Sequence, residues 1–340
     1  MSASLEIRSP GLGVSIQDDG RHGHRRIGVP LSGALDPVFL AAANGLLGNP
    51  AGAAGLEVLL AGPLLQAVDA PVRIALAGTM GARRIGPSGA SQAVPAWSTL
   101  SLQPGEQLQV GSPRGVGYIA VEGGLLTPPM LGSRSTYARA GLIHAATTLP
   151  CRAARGHCGE RQNVALSHEN GPIRVIPGPQ DDHFTAAALD HFYTGPFRVT
   201  RQRDRMGLRL AGPALAHNQR GADIVSDGVT PGAIQVPADG QPILLLADCQ
   251  TVGGYPKIAT VIRADLPRLA HLQPGDEIRF RAVDADEAAA ARAALARRLS
   301  DWLAGARPAQ AGGDPDSAVL LAANLAGAAV RGDDPHLWPD

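Results

Sequence analysis

Lysine is all but missing from this chain. Of its 30 basic residues only Lys257 is lysine and the rest are arginine, so the compact, adaptable cation often used to hold phosphate or carboxylate is confined to one loop. Aromatic residues make up 4%, which leaves little surface on which nucleobases could stack. An excess of either charge is absent too: 30 Lys+Arg balance 30 Asp+Glu, and no global field draws in nucleic acid or an anionic membrane. Three cysteines, Cys151, Cys158 and Cys249, are too few for a disulfide framework and point to the reducing cytoplasm. No eighteen apolar residues run together, and the start MSASLEIRSPGLG lacks the apolar core of a signal peptide. The expectation is a soluble protein whose partners are a small molecule or other proteins.

What is abundant is glycine, 42 residues, and proline, 28, in a chain of 340. That many turn formers favour short strands over long helices, and the length suits two domains. The sequence therefore predicts a mainly β fold with short helices. Residues 1–135 are expected to form a β-domain, 136–170 a connection, 171–285 a second β-domain, and 286–340 a helix with a loose tail.

Short apolar runs between Gly55 and Gly124 (LEVLLAG, VRIALAG, STLSL, EQLQVG, VGYIAVEGG) read as strands. Within the first, Glu57 faces either solvent or a partner cation. Asp36, followed by Pro37 and VFLAAANGLL, reads as a helix cap. Farther on, RVTRQRDRMGLRLAGPAL alternates as a strand with one wet face, Gln180-Asp181-Asp182 is expected to cap a short helix, and Asp265 another. Residues 284–303 read as the one long helix, with a further helix expected over 317–330. LQPGEQLQV recurs as LQPGDEIRF and LAGPLL as LAGPAL, as two similarly wound β-domains would produce.

The densest chemistry lies in residues 226–257. Two short strands there end in the loop Asp248-Cys249-Gln250-Thr251, followed by Gly253-Gly254-Tyr255-Pro256-Lys257. Asp248, Gln250 and Tyr255 are the catalytic candidates, Asp248 for proton handling. The N–H groups of Gly253 and Gly254 could meet developing negative charge, while Thr251, Ser226, Gln235, Gln241 and Lys257 offer substrate contacts. A tight structural corner is the competing reading of the same glycines. A second polar loop, residues 15–36, contributes Asp18, Arg21 and Ser32. Arg205, flanking Asp204 together with Arg203, suits a planar anion or else a surface ion cluster. Cys249 as a nucleophile, the pair His22 and His24, and Cys151 with His157-Cys158 as metal ligands complete no recognisable set. No metal site is expected.

The segments PGLGVSIQDDGR, GVPLSGALD, GSRSTYARAG, GPQDDHF, DRMGLRL, SDGVTPGAIQVPADGQPI and DCQTVGGYPKIATVIRADL, in this order over roughly residues 5–280, resemble the family of prokaryotic 5-oxoprolinase C subunits. That family also holds biotin-dependent carboxyltransferases and allophanate hydrolase subunit 2. The resemblance implies two cyclophilin-like β-barrel domains and a complex with a B-type and an A-type subunit. It further implies ATP with its Mg2+, and opening of the 5-oxo-L-proline lactam to L-glutamate. Carboxyl transfer in a urea or amide carboxylase, and a regulatory role against a kinase inhibitor, are the alternatives within the family. Asp19 stands where the family commonly has leucine. No Walker-type Gly-x-x-x-x-Gly-Lys occurs, so any ATP site is built otherwise or shared with the partner. Lys257 lies between Pro256 and Ile258, not between the methionines that flank a biotinylated lysine, so no covalent biotin is expected.

Overall fold

The computed structural model describes residues 2–137, 144–154 and 159–309. Gly11, with φ 68°, turns strand Ser2–Ser9 into strand Leu12–Gln17, and from this corner two sheets diverge. One has six strands, includes Ser2–Ser9 and centres on Leu64–Val68 and Gln107–Val110, and the other has five and centres on Gly55–Ala61, Gly117–Val121 and Val72–Ala77. Their facing side chains, among them Leu5, Ile7, Leu56, Leu65, Ile74, Leu76, Leu108 and Ile119, form one core. The expected connection does more than link: its strand Thr148–Arg152 pairs antiparallel with Ser2–Ser9.

A second unit begins at strand Ile173–Pro177 and forms an eight-stranded sheet. Its two edge strands, Glu277–Ile278 and Phe280–Ala282, come from one stretch interrupted only by Arg279. The sheet therefore curls round until its ends nearly meet, as a barrel must to remove its edges. The molecule is mainly β, as expected.

Among the described residues there are four α-helices: α1 (Pro37–Leu46), α2 (Ala186–Thr194), α3 (Leu266–Leu269) and α4 (Ala285–Ala304). Asp36 caps α1 as read, its Oδ1 accepting from Val38 N at 2.9 Å and Phe39 N at 3.0 Å. Asp284 caps α4 in the same way. Two other caps differ from expectation. Thr185, not the Gln180 segment, caps α2, because residues 181–183 form a separate 3-10 turn. Asp265 precedes α3 without capping it, since its carboxylate takes Arg174 and Arg268 instead. RVTRQRDRMGLRLAGPAL is a hairpin, Phe197–Arg203 against Gly207–Ala211, whose turn is held by Asp204 Oδ1 accepting from Met206 N and Gly207 N.

Helix α4 runs back to the first unit. Trp302 packs edge-on against Trp97 with centroids 5.5 Å apart and donates to Val164 O at 2.9 Å. Leu303 approaches Gly45 so closely that a Cβ there would overlap it. The cluster around α1 accordingly runs on into the barrel core, from Phe39 and Tyr118 to Val199 and Phe280. The helix expected over 317–330 lies outside the described residues. No helix among those described is long and apolar enough to cross a membrane.

Candidate functional site

Where the two units meet, charge is buried. Arg205, at the hairpin turn of the barrel, is 3% exposed and reaches into the first unit. Its Nε and Nη2 donate to the two carboxylate oxygens of Asp248 at 2.9 and 3.1 Å, Nη2 also donates to Gly33 O at 2.6 Å, and Nη1 pairs with Glu57. Glu57 Oε2 accepts from Tyr118 Oη at 2.6 Å and from Leu35 N at 2.8 Å. Burial works against the Arg205 charge, but Glu57 and Asp248 outweigh it and raise its pKa. Burial, followed by the field of Glu57, likewise pushes the Tyr118 phenol well above its usual range.

This network corrects two expectations. Asp248 and Glu57 are both fully buried, and Asp248 lines none of the cavities described here. Asp248 thus braces Arg205 instead of presenting an acid or base to substrate. Arg205 is spent on two carboxylates and a carbonyl and does not face an anion. Of the two readings open for Glu57, the partner cation is the one realised.

The glycine-rich corner at 226–257 exists, and its parts hold one another. Asp227–Gly228 pairs with Val252–Gly253 in a two-stranded ladder. Lys257 Nζ, 4% exposed, donates to Asp227 Oδ2 at 2.6 Å. A Cβ on Gly253 would fall 2.5 Å from Gln235 Nε2, so this glycine admits the Gln235 amide, which donates to Tyr255 O at 3.3 Å. Gly254 O accepts from Ile224 N at 2.8 Å, and Thr251 O from Val229 N at 3.1 Å. Gln241 is clear of this corner and locks a turn through Gly212 N and O, both at 3.0 Å. Ser226, Gln250 and Tyr255 are exposed. Arg25 of the first unit joins the corner through Gln250 O at 3.1 Å and through Val229 O. Burial pushes the Cys249 thiol up, the opposite of what a nucleophile needs. Cys151 rises to about 11 for the same reason, and His157 and Cys158 lie outside the described residues.

The second polar loop, by contrast, opens on a cavity. Asp18, Asp19, His22, Ser32, Arg263 and Leu266 are among the residues lining a space of about 400 Å³ between the units. Asp18 organises its floor: Oδ1 accepts from Gly20 N at 2.8 Å, Ser133 Oγ at 2.6 Å and Ser135 Oγ at 2.5 Å, and Oδ2 from Arg134 N at 2.6 Å. Arg21 supports the same floor by donating to Ser135 O. Burial would raise the Asp18 pKa, but the four hydrogen bonds together hold it below the ordinary 3.8. Its stabilising effect is thus complete above the unfolded value of 3.8 and is lost as pH falls through the lower folded value. Asp18→Asn replaces one acceptor oxygen with an amide NH2, which faces Arg134 N or, flipped, the three donors on Oδ1, and is expected to cost about 1–3 kcal/mol in urea unfolding at pH 7. A change well under 1 kcal/mol would show that this carboxylate does not hold the loop.

Ser32 differs from its neighbours. It is 4% exposed, its φ is 53°, and its hydroxyl has no hydrogen-bond partner. A non-glycine residue in the left-handed region is strained, and a buried hydroxyl without a partner is costly. Both at one residue of a cavity wall single out Ser32 as a candidate site residue. Asp18 and Ser32, both expected from the sequence, are brought together here; the 226–257 stretch contributes Thr230, Pro231, Leu246 and Ala247 to this lining but none of its expected site residues.

The chain is similar to known proteins in both sequence and fold. The carboxyltransferase domain family, subdomain A and B, matches residues 27–282. The 5-oxoprolinase C subunit of Escherichia coli is 36% identical over 297 residues, covering 85% of this chain and 94% of that protein, and its namesake from Haemophilus influenzae is 34% identical over 305, covering 85% and 93%. The crystal structure of the Kluyveromyces lactis urea carboxylase superposes with a TM-score of 0.76 at 24% identity, over 88% of this chain but only 29% of that one.

Proposed function

We propose, because this chain belongs to the carboxyltransferase domain family of subdomains A and B, that it is a subunit of an ATP-dependent 5-oxoprolinase working with B-type and A-type partners. The observation that carries this reading is extent: the chain matches 94% of the E. coli 5-oxoprolinase subunit but 29% of the urea carboxylase structure. The overall reaction is 5-oxo-L-proline, ATP and water to L-glutamate, ADP and phosphate.

An unstrained lactam resists water, and phosphorylating its oxygen provides the leaving group. Among the described residues, the candidate cavity offers a nucleotide a single arginine, Arg263. The chain's single lysine is paired with Asp227, and the walls of the candidate cavity carry Asp18 and Asp19, which repel phosphates. ATP and Mg2+ are therefore assigned to the partner subunits. To Ser32, whose buried hydroxyl has no partner in the cavity wall, this reading assigns donation to the lactam oxygen as negative charge develops there. Arg263, on the same wall, suits the substrate carboxylate. Asp18 stays ionised and fixes the loop that presents Ser32.

The test is 5-oxoproline-dependent ADP release by the assembled subunits. Release should require this chain and stop when it is omitted. Turnover that instead needs a biotin carrier and an acyclic amide would replace the proposal with carboxyl transfer. Tight assembly with no effect on turnover would replace it with a regulatory role.

A further inference from the structure

We propose that Asp36, His168 and His271 form a binding site for one divalent first-row transition-metal ion, held by two imidazoles and one carboxylate. The three side chains come from three parts of the chain: the start of α1, the connection, and the residues just after α3. Their ligand atoms lie within 4.8 Å of one another. His168 Nε2 is 2.6 Å and His271 Nε2 2.8 Å from the same oxygen, Asp36 Oδ2. Nothing in the helix cap requires this, since Oδ1 alone serves Val38 N and Phe39 N.

The rings are held in place. Phe39 stacks on His168 with centroids 4.9 Å apart and packs at 4.8 Å against His271. Imidazole nitrogens and a carboxylate oxygen suit zinc, cobalt, nickel or iron, with bonds of about 2.0–2.2 Å. Magnesium and calcium, which demand more oxygen ligands, are disfavoured. A small rotation of each ring makes room for the ion, with the imidazole protons moved to Nδ1.

The site also has an open side. His168 and His271 line a cavity of about 850 Å³ distinct from the one at Ser32, so coordination positions remain for water or an anion. Of the cations lining this cavity, Arg268 is paired with Asp265 and Arg279 with Glu277, while Arg114 is set against Glu169, which faces the same space. Three ligands leaving an open position describe a reactive centre better than a structural clip.

The probe is Co2+ added to the full chain stripped with chelator. The expected result is a visible d–d spectrum that saturates at one equivalent, is bleached by Zn2+, and disappears in His168→Ala and in His271→Ala. Metal should also raise the thermal midpoint of the wild type but not of His271→Gln. Wild-type protein that gives no spectrum overturns the proposal without recourse to any variant. So does a spectrum that survives both histidine substitutions, since it would place the ion elsewhere.

Discussion

Arg205→Ala is expected to lower the unfolding free energy by about 3–5 kcal/mol, the cost of leaving buried charge without its counterion. Both Glu57 and Asp248 are fully buried and both depend on this guanidinium. Two carboxylates would then repel each other across the junction of the units. Urea unfolding at pH 7 measures the loss. Combining Arg205→Met with Glu57→Gln and Asp248→Asn removes every charge and should recover much of the loss. If the single substitution costs under 1 kcal/mol, water reaches the network and the pair is not a buried one.

The second large effect is catalytic. Ser32→Ala should reduce 5-oxoproline-dependent ADP release by about 10²–10³-fold, the usual cost of removing one donor aimed at developing charge. Stability should hardly fall, because the hydroxyl has no partner to lose. Ser32→Gly makes the contrast sharper: a φ of 53° suits glycine, so the thermal midpoint should hold or rise while activity drops. Activity retained in both variants would remove Ser32 from the mechanism and leave its strain without a functional account.

Local features were legible in the sequence. The Asp36-Pro37 start of α1, the acidic start of α4 and the short strands Ala233–Gln235 and Ile243–Leu245 all follow from capping and periodicity. Hairpin Phe197–Ala211 was harder, because its arginines keep the alternating pattern while Asp204, whose side chain makes the turn, is one polar residue among several. What sequence spacing could not supply were pairs distant in the chain. Arg205 and Glu57 are 148 residues apart, and His271 and Asp36 are 235 apart. The same limit explains the misplaced weight on Asp248. A carboxylate beside a glycine-rich loop looks available for chemistry until the cation that occupies it is located. In the sequence Ser32 is one polar residue of its loop among several, and only the backbone angle and the missing partner distinguish it from Asp18, whose carboxylate accepts four hydrogen bonds.

Helix α4 offers a practical consequence. Of the chain's three tryptophans, two meet ring to ring where that helix returns to the first unit. Their shared emission is a built-in optical gauge of docking, and peeling the helix away would wet both indoles and shift their fluorescence to the red.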